Sequence, residues 1–194
     1  MDGGEQKGYN KNRTNVLFCG KEGAQRKNLQ YYCEQLQKQY QLDSYPVEIV
    51  QLCNKFGFSV YEQYLPHGWY SFLGIGDELL SKYKSSKIIV VNLAFPPTER
   101  RFLIAQELSY YLLQEKVKTP VFAHKTSKIS RKDTKEKEAE ELAARLLIPK
   151  KFLRQVLQVA DQMYLLPQEK EEFVARQFKV EPKRVAYRIK LKEE

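Results

Sequence analysis

Apolar residues recur at two spacings along the chain, and the change from one to the other predicts where helices give way to strands. Intervals of three and four residues predict an amphipathic helix over residues 27–41, and a second helix that begins near Pro46 and ends at Gly57. Alternation or a short apolar run then predicts three strands, over residues 58–64, 70–74 and 87–93. The last of these strands is apolar enough to be buried on both faces.

Helical spacing returns after Pro97 and continues to the end of the chain. It predicts helices over residues 98–115, 135–147, 152–160, 168–178 and from residue 182 onward. A polar, lysine-rich stretch over residues 125–137 is interpreted as a connector. Helices on both sides of a small three-stranded sheet predict a fold of the α+β class.

Three segments are predicted from these patterns. Residues 1–26 are rich in glycine and polar side chains and are expected to form a flexible leader. Residues 27–160 are expected to form the main domain. Residues 161–194 form a helical pair that is packed on this domain or appended to it.

Composition narrows the class of protein. The chain has 194 residues, of which 42% are hydrophobic and 29% charged, as expected for one sizeable globular domain. The longest apolar run, over residues 88–95, is too short to cross a bilayer, and the polar N-terminus does not look like a signal peptide. Three cysteines without a CxxC pair predict neither a disulfide framework nor a zinc knuckle, and a reducing cytoplasm fits them best. The net charge of +9 fits a nucleic-acid partner, an acidic protein partner or simply a lysine-rich surface.

Two predicted helices carry the most specific pattern. Residues 101–113 read RFLIAQELSYYLL, and residues 138–149 read EAEELAARLLIP. Their order and spacing resemble the paired helices of the ImmA/IrrE family of zinc metallopeptidases, which read RFxxAHExxHxLL and ExxANxFAxxLLxP. The resemblance extends over about residues 27–160, and it implies a zincin-like, metallopeptidase-type fold.

The chain departs from that pattern at the metal-binding positions. Histidines four residues apart in HExxH lie on one helix face and can bind one Zn²⁺, while the glutamate acts as general base. This chain has Gln106 and Tyr110 at the histidine positions and keeps Glu107 as a remnant of the base. The resemblance implies that Glu138 takes the position of the third ligand.

Gln106, Tyr110 and Glu138 are a poor ligand set for zinc. An amide oxygen is a weak, hard donor, and deprotonating a phenol with a pKa near ~10 costs about 4 kcal/mol at pH 7. We therefore expect no metal, no cofactor and no catalysis, with Zn²⁺ bound only if the chain is a divergent active enzyme. Glu107 and Glu138 are expected to hydrogen-bond Gln106 and Tyr110 as a polar plug in place of the metal.

Two histidines remain as possible substitutes. His67 lies in a predicted loop before the second strand, where a surface position is expected. His124 lies between the two motif helices, and binding of a metal by His124 with Glu138 is an alternative to its being an ordinary loop residue.

The resemblance also implies a partner. Relatives act on helix-turn-helix repressors of mobile elements and stress responses, and their substrates lie extended along an edge strand. A chain without catalysis can keep this recognition, because strand addition needs no metal. The candidate edge strand contains Tyr70, Ser71, Phe72, Leu73 and Gly74.

Three functions are thus kept open. The preferred one is a non-catalytic, peptidase-like protein that binds a protein or peptide, with such a repressor as the candidate partner. The first alternative is an active metallopeptidase that cleaves such a repressor. The second alternative is a nucleic-acid-binding regulator. In that case Lys183, Arg184 and Arg188 of the C-terminal helical pair would face a phosphate backbone, although the pair is expected instead to cap the domain.

Overall fold

A computed structural model describes residues 29–114, the backbone of residues 122–127, and residues 134–191. Two helices, α1 (Leu29–Gln39) and α2 (Ile49–Lys55), precede the strands β1 (Ser59–Gln63) and β2 (Trp69–Ile75). A 3₁₀ turn (Asp77–Leu79) and the short helix α3 (Leu80–Tyr83) lead to β3 (Lys87–Asn92). The remaining elements are α4 (Pro97–Leu112), β4 (Phe122–Ser127), α5 (Thr134–Leu147), α6 (Lys150–Gln162), α7 (Pro167–Phe178) and α8 (Pro182–Lys190).

The four strands form one mixed sheet in the order β1-β3-β2-β4. β3 pairs in parallel with β1 and antiparallel with β2, and β2 pairs antiparallel with β4. Ile88, Ile89, Val90 and Val91 of β3 are all fully buried. The predicted α+β class and the burial of this strand on both faces are confirmed.

The position of β2 corrects one prediction. The three predicted strands are present, but β4 occupies part of the stretch that was interpreted as a connector. Because β4 pairs with β2 on the side away from β3, residues 70–74 lie in an interior strand and cannot accept an added strand. β4 was missed because its sequence, FAHKTS, is short and polar, which is common in strands at the edge of a sheet.

Helix α4 is the central helix of the domain. It packs against β2, β3 and α5, and its residues from Phe102 to Ser109 are buried in succession. A helix surrounded in this way has no solvent face over its middle turns. Three of the buried side chains are polar, namely Gln106, Glu107 and Ser109.

The C-terminal helices share the main core. Val174, Phe178, Val180 and Val185 are at most 3% exposed and belong to the same apolar cluster as the sheet and α4. No helix within the described ranges is long and apolar enough to span a bilayer.

Two basic residues of α8 do not face solvent, contrary to the nucleic-acid alternative. Arg184 donates 2.7 Å hydrogen bonds to Glu99 and to Glu140, and its guanidinium lies 3.6 Å from the centre of the Phe102 ring. Arg188 is 1% exposed and donates through Nε to the carbonyl of Ile148 at 3.1 Å.

Lys183 is exposed, with its Nζ 3.2 Å from a Glu99 oxygen. Arg184 and Arg188 therefore attach α8 to the rest of the domain, so two of the three candidate phosphate contacts are not available at the surface.

A second buried polar cluster ties the first helix to the last. Arg145 of α5 donates to Glu141 and, at 2.6 Å, to the amide oxygen of Gln30 in α1. Arg188 approaches the same Gln30 oxygen at 3.4 Å. The two guanidinium groups thus share one acceptor, which fixes α1, α5 and α8 relative to one another.

Candidate functional site

The residues that replace HExxH lie in the C-terminal half of α4. This helix begins with Pro97, whose fixed φ and missing N–H suit the first helical position. Gln106 and Tyr110 are four residues apart and therefore lie on the same side of the helix. Gln106 is 5% exposed, and Tyr110 is half-buried.

Glu107 is bound by the interior strand β2. The hydroxyl of Ser71 donates a hydrogen bond of 2.7 Å to Oε1 of Glu107, and both residues are fully buried. A carboxyl group in the protein interior needs such donors, since an unsatisfied buried acceptor is strongly destabilising. The interaction joins α4 to the sheet at the position where the family motif places the general base.

The part of the predicted polar plug that involves Glu138 is wrong. Among the described residues, the side chains of Gln106 and Glu138 make no hydrogen bond, so Glu138 is not joined to Gln106 or Tyr110. The backbone carbonyl of Tyr110 accepts a 3.3 Å hydrogen bond from Gln114. Ser71, which the sequence analysis assigned to partner binding, is instead the donor that satisfies Glu107.

The remaining residues of the predicted binding strand are also part of the interior. Leu73 and Gly74 are buried, and Tyr70 and Phe72 are half-buried. The Tyr70 ring packs edge-on against Phe95 with 4.9 Å between centroids. These side chains hold β2 in the core, which agrees with its place inside the sheet.

The donor atoms at this position do not fit zinc. No group of three or more His, Cys, Asp or Glu residues within the described ranges is arranged to hold a metal ion. Gln106 and Tyr110 offer an amide and a phenol where zinc sites use imidazole or thiolate. Glu138 is half-buried on α5.

The structure describes the whole of His67 but only the backbone of His124. His67 is exposed in the turn before β2, as predicted. The backbone of His124 lies opposite Leu73 in the β2–β4 ladder, and its side chain is outside the described part of the chain. The alternative in which His124 binds a metal with Glu138 therefore stays a prediction.

Two of the three cysteines are buried and unreactive. Cys33 and Cys53 are free thiols and fully buried. Burial raises the pKa of each thiol to about 12, which leaves almost no thiolate at neutral pH. Neither can act as a nucleophile in the folded protein.

A family comparison agrees with the arrangement of α4 and α5. The model of the IrrE N-terminal-like domain, a peptidase family, matches residues 55–190. The chain belongs to this family. The IrrE-type match includes the sheet, both motif helices and the C-terminal helices α7 and α8, so the resemblance inferred from the sequence is confirmed and the fold is zincin-like.

The fold is shared with solved structures. A Mycobacterium tuberculosis transcriptional regulator superimposes with a TM-score of 0.54 at 17% sequence identity. The match covers 88% of this IrrE-type chain and 49% of the regulator, so the chain spans about half the length of that protein. No curated protein matches the chain.

Proposed function

We propose that this protein is a non-catalytic member of the IrrE-type family that binds a protein partner without cleaving it. The observation that carries the proposal is the environment of Glu107. This side chain is fully buried and accepts a hydrogen bond from Ser71, and Gln106 and Tyr110 stand where the family has metal ligands.

A general base must reach the proton of an activated water molecule. In a zinc peptidase that water is acidified by the metal, from a pKa near ~15.7 to about 7. The donors around Glu107 do not fit the metal, and the Ser71 hydroxyl already occupies one of its oxygens. Glu107 is therefore assigned a structural role, as the buried acceptor that fastens α4 to β2.

The partner is proposed to bind as an added strand at β4. β4 is the last strand of the sheet within the described residues, and only β2 pairs with it. An extended peptide could use the outer N–H and C=O groups of such an edge, with no contribution from a metal. This edge replaces residues 70–74, which the β4 ladder covers.

The partner class follows from the family. IrrE-type relatives act on helix-turn-helix repressors, and the solved neighbour is described as a transcriptional regulator. We therefore propose a helix-turn-helix repressor of a mobile element or stress response as the partner, in the cytoplasm. The free thiols of Cys33 and Cys53 are consistent with a reducing compartment.

The nucleic-acid alternative receives no support from α8. Two of its three candidate phosphate contacts, Arg184 and Arg188, are already bonded inside the domain. Freeing them would expose the acidic partners Glu99 and Glu140, which would repel phosphate.

The proposal is tested with a purified helix-turn-helix repressor, chosen first from any that is encoded beside the gene. The two purified proteins are incubated, the complex is measured by calorimetry, and the mass of the repressor is followed with time. We expect saturable binding and an unchanged repressor mass. Time-dependent appearance of repressor fragments would contradict the non-catalytic assignment, and absence of binding would contradict the partner assignment.

Hydrogen exchange locates the contact. Backbone amides over residues 122–127 should become protected when the repressor binds, because an added strand pairs with them. Residues 182–190 of α8 serve as the comparison and should keep their exchange rates. Protection of α8 with no change in β4 would refute the edge-strand mode.

A further inference from the structure

A pocket lies away from the Glu107 site, where the start of α4 meets the end of α7 and the start of α8. Its volume is about 420 Å³, which falls within the range typical of small-molecule sites. Four of its lining residues are apolar or carry only short side chains: Pro97, Ala175, Val180 and Pro182. Ala175 and Val180 are 3% exposed and belong to the main core, so the floor of the pocket is rigid.

The charged residues of the pocket are mainly basic. Arg101, Arg176 and Lys179 line it together with one acidic residue, Glu172, which gives the lining a net charge of +2. A concave surface with this charge, placed over an apolar floor, concentrates anions.

The basic residues of α7 differ from those of α8 in their partners. Lys183 and Arg184 of α8 both lie within salt-bridge distance of Glu99. Arg176 and Lys179 form no ion pair with any described residue, although both belong to the same helical pair. Glu99 is thus used by α8, and Arg176 and Lys179 keep their positive charges at the pocket without an ion pair among the described residues.

Arg101 supplies a partly buried donor. Its Nη2 donates a 2.8 Å hydrogen bond to the carbonyl of Val47, which holds the guanidinium in place. Its Nε is buried and has no hydrogen-bond partner in the described part of the chain. The side chain also lines the pocket, so this fixed guanidinium contributes positive charge there.

We propose that this pocket binds a small organic anion, a phosphate or carboxylate group carried on a compact apolar body. The anionic group would lie among Arg101, Arg176 and Lys179, and the apolar body would contact Ala175 and Val180. This inference does not depend on the proposed binding of a repressor, because none of the pocket residues belongs to β4 or to the Glu107 site.

The proposal is tested by NMR titration of the full chain with phenyl phosphate and with benzoate, which separate the two anionic groups. Saturable shifts of the Ala175 and Val180 amide signals are expected with at least one of them. Inorganic phosphate should bind more weakly than phenyl phosphate, because it cannot contact the apolar floor. Phenol should not bind measurably at the same concentrations.

Variants then assign the binding to the basic residues. Arg176→Gln and Lys179→Gln should each weaken binding about fivefold, from the loss of one charge contact at the edge of the pocket. Both side chains are exposed, so the fold should be unaffected. Lys190→Gln removes the same charge about 12 Å along α8 from Pro182 and should leave the affinity unchanged.

Three results would overturn the proposal. The first is the absence of saturable shifts at Ala175 and Val180 with both phenyl phosphate and benzoate. The second is equal binding of phenol, which would show that the anionic group contributes nothing. The third is an equal loss of affinity in Lys190→Gln and in the pocket variants, which would reveal a nonspecific effect of net charge.

Discussion

The hydrogen bond between Ser71 and Glu107 makes a quantitative prediction about stability. Ser71→Ala removes the hydroxyl that donates to Oε1 of Glu107 at 2.7 Å, in a place where both residues are fully buried. A hydrogen bond to a charged group contributes about 1.5–3 kcal/mol to stability. We expect Ser71→Ala to lower the free energy of unfolding by about 2 kcal/mol.

A second serine provides a matched control. Ser109 lies two residues after Glu107 in α4 and is also fully buried, but its hydroxyl has no hydrogen-bond partner among the described residues. Ser109→Ala removes an unsatisfied polar group and raises helix propensity by a few tenths of a kcal/mol. We therefore expect Ser109→Ala to be neutral or stabilising by up to about 1 kcal/mol.

Urea unfolding followed by circular dichroism measures both variants on one scale. For a domain of this size, a loss of about 2 kcal/mol in the free energy of unfolding corresponds to a fall of roughly 4–8 °C in the melting temperature. Glu107→Leu, which has no acceptor for the Ser71 hydroxyl, is made alone and together with Ser71→Ala, and completes a double-mutant cycle that isolates the interaction from the cost of each substitution. The cycle should give a coupling energy of about 1 kcal/mol or more.

The structural role assigned to Glu107 would be refuted by two outcomes. One is a Ser71→Ala protein whose stability lies within about 0.5 kcal/mol of the original, the scatter expected for substitutions without a structural role. The other is an equal loss of stability in Ser71→Ala and Ser109→Ala, because the hydroxyl would then matter only as buried volume.

Three further predictions concern Glu99 of α4, Arg184 of α8 and the buried thiols. Burial opposes ionisation of Glu99, but the hydrogen bonds and positive charges of Arg184 and Lys183 outweigh burial and lower the pKa of Glu99 below the ordinary 4.5. The ionised Glu99 therefore stabilises the fold fully above pH 4.5, and this stabilisation is lost as the pH falls through the lowered pKa. The Glu99→Gln protein should therefore be less stable than the original protein at pH 7 and approach it in stability near pH 3. A constant difference in urea unfolding across this pH range would contradict the lowered pKa of Glu99. Arg184→Ala should lower the free energy of unfolding by about 3 kcal/mol at pH 7 in the same assay, because it removes two hydrogen bonds to charged groups, those to Glu99 and Glu140. Burial raises the pKa values of Cys33 and Cys53 to about 12, so both thiols should resist iodoacetamide at pH 8 until urea unfolds the protein. Labelling is measured by peptide mass spectrometry. Rapid labelling of either thiol in the folded state would show that this thiol is accessible.

The sequence predicts the regular elements well because each depends on local spacing. The predicted helices and the three apolar strands lie close to their predicted positions, whereas the short helix α3 was not predicted, and β3 is buried as its composition requires. β4 carries too little apolar alternation to be distinguished from a loop. Its absence from the prediction led to the error about β2, since a strand is an edge only if nothing pairs with its second side.

The contacts of the site could not be predicted for a different reason. Ser71 and Glu107 are 36 positions apart, and Arg184 lies 44 positions from Glu140 and 85 from Glu99. Nothing in the local pattern of α8 distinguishes a basic residue paired with buried carboxylates from one that faces solvent. The identity of the residues at 106 and 110, in contrast, is read directly from the chain, and it determines which metals the site can hold.

The central claim is that Gln106 and Tyr110 leave this IrrE-type domain unable to hold zinc. The most direct test is the zinc content of protein purified without chelators, measured by plasma mass spectrometry after equilibration with Zn²⁺ and removal of the free metal. Gln106→His combined with Tyr110→His restores both imidazoles and serves as the positive control. We predict far less than one Zn²⁺ per chain in the original protein and close to one in the double variant, and one tightly held Zn²⁺ in the original protein would contradict the non-catalytic assignment.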